Sequence, residues 1–91
     1  MKVLENVNFD KLEELHLSGN NISDINILEK VNFKELKELY LYDNKISDIK
    51  VFKKVQFEKL EELYLNGNKI DLTKNYSIIS KMKSLLKKLI I

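Results

Sequence analysis

Cysteine, proline, tryptophan, alanine and arginine do not occur in this chain of 91 residues, and histidine occurs once. Without cysteine there is no disulfide, no thiolate metal site and no cysteine nucleophile. A single histidine, His16, leaves too little for a histidine-rich zinc site or a Ser-His-Asp triad. The missing arginine removes the planar fork that clamps phosphate or reads guanine. Lysine fills all sixteen basic positions instead. No apolar run approaches the roughly 20 residues that a membrane-spanning helix needs. The opening Met1-Lys2-Val3-Leu4-Glu5-Asn6 reaches an acid and an amide before an apolar stretch forms, unlike a secretory leader. An intracellular, cytoplasmic location is the expectation. Enzymes are disfavoured at the outset.

What is present is a balanced globular composition, 44% hydrophobic and 33% charged, of a length that bounds the chain to one folding unit. The net charge of +2 is unevenly spread. Residues 1–71 carry eleven lysines against fourteen acids, about −3, whereas residues 72–91 carry five lysines and no acid. Basicity made only of lysine, with ten asparagines and ten isoleucines, is what an A+T-rich coding sequence yields.

Self-similarity decides the fold class. Segments opening at Leu12, Leu36 and Leu60 repeat with a period of 24, and the first two share twelve of 24 positions. The third opens LEELYLNGNKI, sharing eight of eleven positions with the second. A further opening, Leu86 to Ile91, follows after 26 residues, and residues 3–9 match residues 27–33. The chain therefore reads as a partial repeat (1–11), three repeats (12–35, 36–59, 60–85) and another partial repeat (86–91) in a single domain.

LEKVNFKELKEL could pass for an amphipathic helix. Leu15-x-Leu17, Leu39-x-Leu41 and Leu63-x-Leu65 instead alternate with period two, which is strand geometry. Each is followed three residues on by Asn20, Asn44 or Asn68, then by an isoleucine two further along. On the pattern Leu-x-x-Leu-x-Leu-x-x-Asn-x-Ile the chain resembles the leucine-rich repeat family. The continuation Asn-x-Ile-x-x-Ile-x-x-Leu is most similar to the subclass of phosphatase regulatory subunits and internalins. The 24-residue length and the Asp71-Leu72-Thr73 of the third copy depart from that subclass. The resemblance implies an α/β fold: a short right-handed solenoid with a parallel sheet of about four short strands on the concave side. Turns and short helices would form the convex side.

In such a stack each residue faces its equivalents in the neighbouring repeats. The leucine columns 12/36/60/86, 15/39/63/89 and 17/41/65 with Ile91 are expected inside. So are Ile22/46/70, Ile25/49, Leu28/Phe52, Val31/55 and Phe33/57. The asparagine column is expected to be buried, its amides bridging backbone of adjacent turns. Ser23-Asp24 and Ser47-Asp48 should satisfy turn backbone. In the third return limb Ile78, Ile79, Met82, Leu85 and Leu86 fall on one helical face, with Ser77 or Asn75 as a cap.

The residues between the strand leucines point outward, and family resemblance makes that the partner-binding face. One column reads His16, Tyr40, Tyr64, Ile90, and the one beside it Glu14, Glu38, Glu62, Lys88. Tyr42 and Asp43 continue the face. Tyrosine and histidine suit binding patches, although tyrosine also suits any half-exposed strand. Stacked glutamates roughly 4.8 Å apart repel by roughly 1 kcal/mol in water, a cost that a cationic partner would remove. His16 lacks the nucleophile and orienting acid of a catalytic centre, and the adjacent pairs Glu13-Glu14 and Glu61-Glu62 straddle an extended backbone.

The function expected is non-enzymatic protein–protein recognition through the concave face, with no cofactor, metal or small-molecule substrate. Tyr40, Tyr42 and Tyr64 would anchor, His16 would extend the row, and Glu14, Glu38, Glu62 and Asp43 would favour a basic or mixed-charge protein segment. The alternative is a regulatory or targeting segment of a larger enzyme such as a kinase or phosphatase assembly. An RNA- or lipid-associated scaffold acting through the lysine-rich end ranks below both. The apolar Leu89-Ile90-Ile91 suggests a fragment of a longer protein, or self-association through the C-terminal edge.

Overall fold

The computed structural model describes residues 10–31, 33–55 and 57–91. The half-repeat expected over residues 1–11 thus lies outside the described residues except for its last two. Four three-residue strands form one parallel sheet in sequence order: β1 (Glu14–His16), β2 (Glu38–Tyr40), β3 (Glu62–Tyr64) and β4 (Lys88–Ile90). Their register is the register of the repeat. Leu15 faces Leu39, Leu39 faces Leu63, and Leu63 faces Leu89. Each strand is one inward leucine between two outward residues, and the second leucine of Leu-x-Leu follows just beyond it. The fold is a small α/β solenoid of the kind that the resemblance implies.

Pairing does not stop where the strands do. Leu17 N donates to Tyr40 O at 2.9 Å, and Lys45 N to Ile22 O at 2.8 Å. The equivalent bonds of the next rung join Leu41 to Tyr64 and Lys69 to Ile46. Across this gap between strand and return limb the asparagines supply the remaining partners. Asn44 Nδ2 donates to the carbonyls of Leu17 and Leu41, while its Oδ1 accepts from the backbone N–H of Asn20 and Ile22. Asn68 repeats the pattern with Leu41, Leu65 and the N–H of Ile46.

One correction concerns burial in this column. Asn44 is 6% exposed and Asn68 half-buried, but Asn20 is exposed. Among the described residues its amide bonds its own turn alone, at Leu17 O and Ser18 O. Among the described residues only the rung of Asn44 covers it, and one rung does not close the site.

The return limbs of the first two repeats are 3-10 turns, Asn26–Lys30 and Lys50–Lys53. Asp24 and Asp48 launch them by accepting the N–H of Asn26 and Lys50, both at 2.9 Å. In the third repeat Asp71 does this one position earlier, accepting from Thr73 and Lys74. These backbone donors, Lys74 first, hold the Asp71 carboxyl below its usual range. Fifteen residues separate Asp71 from Leu86, against twelve from Asp24 to Leu36. The extra length is taken up by the more compact α-helix, α1 (Tyr76–Leu85).

The core holds Ile25, Leu28, Phe33, Leu36, Leu39, Leu41, Ile46 and Ile49 in the first two rungs, then Leu63, Leu65, Ile78, Ile79 and Met82. Val51, absent from the expected columns, is also buried, whereas Phe52 beside it is half-buried. A larger departure is Leu85, which helical spacing assigned to the buried face and which is 70% exposed. Neither proposed cap forms through its side chain. The N-cap is Asn75, whose amide donates instead to Asp71 O. Leu89 and Ile91 are half-buried against the core, and Ile90 between them is exposed.

Candidate binding face

Alternation places residues 14 and 16, 38 and 40, and 62 and 64 on the outward side of the sheet. Strict register then turns them into two adjoining files. The rings of His16 and Tyr40 stack with centroids 4.2 Å apart and planes 9° from parallel, and those of Tyr40 and Tyr64 at 4.6 Å and 6°. The file ends in a cation, since Lys88 Nζ lies 5.5 Å from the Tyr64 ring centre. That distance suits a cation–π contact. Sequence placed Lys88 at the end of the glutamate column. The register of β4 bears that placement out, and what sequence missed is the reach of the side chain across to the Tyr64 ring.

Each aromatic leans toward the glutamate two residues before it. Tyr40 Oη–H donates to Glu38, Tyr64 Oη–H donates to Glu62, and His16 Nε2 lies 3.1 Å from Glu14 Oε1. The glutamate file is therefore supplied with donors along its length, an answer to its like-charge cost that sequence did not offer. The bond to Glu38 raises the Tyr40 phenol well above the ordinary range, with burial adding to it, and Glu62 raises Tyr64 for the same reason. Both phenols keep their protons, and those protons point into the face.

What remains for a partner is mostly acceptor. Among the described residues the second carboxylate oxygens of Glu14, Glu38 and Glu62 carry no bond. Tyr42, exposed, follows on beyond Tyr40, and Asp43 turns the chain at a positive φ of 55°. Gly19 and Gly67 hold the equivalent left-handed positions at φ of 70° and 72°. At Gly67 a Cβ would run into the Asp43 carboxylate, so the two residues are fitted to one another. The structure brings His16, Tyr40, Tyr64, Glu14, Glu38 and Glu62 into one patch, with Tyr42 and Asp43 at its side.

Next to this patch lies a set of ion pairs between repeats: Glu13 with Lys37 at 3.3 Å, Glu35 with Lys59 at 2.8 Å and Glu61 with Lys87 at 3.0 Å. Lys59 holds Glu35 below its usual range and is itself raised. Among the described residues no group of three His, Asp or Glu side chains is placed to hold a metal. No helix among them is long and apolar enough to cross a membrane.

Comparison with family models matches leucine-rich repeats, as a two-copy unit, over residues 10–54 and again over 34–77. Together the two matches cover well over half of the chain. The chain belongs to the leucine-rich repeat family. Such repeats generally mediate protein–protein interaction and are generally non-enzymatic. No curated protein matches the chain.

Proposed function

We propose that this leucine-rich repeat chain is a non-enzymatic recognition module whose concave sheet face takes a protein segment rich in cationic donors. One observation carries the reading: the tyrosine O–H groups along the file are turned inward onto glutamates. A partner meets acceptor oxygens, and a buried acceptor left without a donor costs about 1–3 kcal/mol. Lysine and arginine supply donors and charge together. Lys88, seated on Tyr64 at the end of the row, is a cation of the kind that such a partner would bring, and it supports the reading.

The test is a pull-down with wild type against a Tyr40→Ala/Tyr64→Ala double variant, followed by titration of the captured partner at several salt concentrations. The double variant loses the partner. Glu38→Lys slows association and weakens it more at low salt than at high salt. An equal loss at all salts, or a loss seen only with Lys81 and Lys83 variants, places the site elsewhere. A second reading rests on the Asn-x-Ile-x-x-Ile-x-x-Leu continuation, which is similar to that of phosphatase regulatory subunits. It makes the chain a regulatory segment of an enzyme assembly, and capture of a catalytic subunit in the same pull-down would favour it.

A further inference from the structure

The repeat sets a phenylalanine three residues before each opening leucine: Phe33 before Leu36 and Phe57 before Leu60. In the third repeat that place belongs to Lys83, before Leu86. Phe33 is buried, and its ring packs on Phe57 with centroids 5.8 Å apart and planes tilted 33°. Beyond Phe57 the column has no further ring. In its place is a cavity of about 280 Å³ lined by Phe52, Phe57, Leu60, Met82, Leu85 and Leu86. A second hollow of about 300 Å³ shares Phe52, Met82 and Leu85 and is edged by Lys53 and Lys81. At the rim Leu85 is 70% exposed, an apolar side chain held in water on the lining that both hollows share with Phe52 and Met82.

Size and charge both speak to an occupant. Roughly 150 Å³ is room enough for benzene, so by volume a phenyl group fits this open hollow and would meet Phe57 as Phe33 does. Among the described residues Lys53 and Lys81 pair with no acid, and residues 72–91 contain none. The one carboxylate on the lining, Glu58, borders the first cavity and not the second. We propose that this vacant rung is a socket for a phenylalanine side chain of a partner segment whose flanking residues are acidic on the side of α1. The site is separate from the tyrosine–glutamate face and does not rest on it.

Met82 lines both hollows, and the only other methionine is Met1. Methionine-methyl NMR of the full chain therefore reads the socket directly. The probes are toluene and three short synthetic peptides: one phenylalanine flanked by aspartates, the same with alanine for phenylalanine, and the same with lysines for aspartates. Toluene and the acidic phenylalanine peptide are expected to shift the Met82 methyl saturably. Both control peptides, and the Lys53→Glu/Lys81→Glu variant with the acidic peptide, bind about tenfold or more weakly, the scale of an anchor residue. Leu85→Asp abolishes the shift while leaving the thermal melt in place, because that side chain is outside the core. Tyr40→Ala/Tyr64→Ala leaves it unchanged. Three results overturn the proposal: no Met82 shift at millimolar acidic peptide, even if toluene enters; equal binding of the three peptides; or loss of the shift in the tyrosine variant.

Discussion

Asn20, Asn44 and Asn68 hold one place in three successive repeats and have three different exposures, so the cost of removing each should differ. Asn44→Ala leaves the N–H groups of Asn20 and Ile22 without their acceptor, while the carbonyls of Leu17 and Leu41 keep the amides of Asn20 and Asn68. It is expected to destabilise by about 1–3 kcal/mol in a denaturant melt. Asn20→Ala, at an exposed site open to water, should cost less than half as much. Equal losses would mean that burial is not what sets the scale. Sequence disclosed the column and its bonding. It could not disclose the gradient, because exposure depends on how many rungs flank each amide.

The tyrosines carry a second expectation at this scale. Raised phenols bind protons more tightly in the folded chain than in the unfolded one, so this contribution is fully present below the ordinary tyrosine range of about 10. It is lost as pH climbs from there through the folded-state values of Tyr40 and Tyr64. Ultraviolet titration of tyrosinate should show late-ionising phenols, one removed by Tyr40→Phe and one by Tyr64→Phe. A titration unchanged by both substitutions would detach the rings from their glutamates.

Among the elements, the strands and the helix of the third return limb were legible, and the far end of that helix's apolar face was not. Leucines at fixed spacing in a period of 24 set strand position and register together, because only in-register stacking puts leucine on leucine. The face of α1 was misread at Leu85 for a physical reason. A helical spacing pattern presumes a neighbour along the whole stripe, whereas α1 begins after the displaced Asp71 turn and runs past the Phe52–Phe57 wall before it ends. Ile79→Ala is thus expected to cost about 2–5 kcal/mol, the usual range for isoleucine in a core, and Leu85→Ala less than about 0.5 kcal/mol. Thermal and urea melts of the two variants decide it. The ion pairs between repeats lie on exposed side chains and contribute little singly. Their sign alternates along the chain as Glu13, Lys37, Glu61 and Lys87, so a slip by one rung would set like charge against like.

At the scale of the whole molecule, the sheet of the described residues ends at β4, which pairs there with β3 alone. Its edge carries Leu89 and Ile91, both half-buried, with Ile90 exposed between them. Strand edges with apolar ends invite pairing, and each rung of a solenoid draws its stability mostly from its neighbours. The 91-residue chain is accordingly expected to self-associate through this edge at high concentration. Ile91→Lys should reduce association, with some loss of stability from the inward part of the side chain. Sedimentation showing the same clean monomer for both proteins would sink the idea.

The bonds of the asparagines have a direction. Asn44 and Asn68 each reach back to the rung before, to Leu17 and Ile22 in one case and to Leu41 and Ile46 in the other. The units of Asn44 and Asn68 thus each carry a coupling to the predecessor, and the unit of Asn44 offers its successor the same kind of socket that it fills itself. A length of gene encoding residues 36–59 could be duplicated in place with no bond orphaned at either junction, lengthening the tyrosine file by one ring. Growth by whole units is open to such a chain. Growth by half a unit, which would separate an asparagine from the carbonyl that it grips, is not.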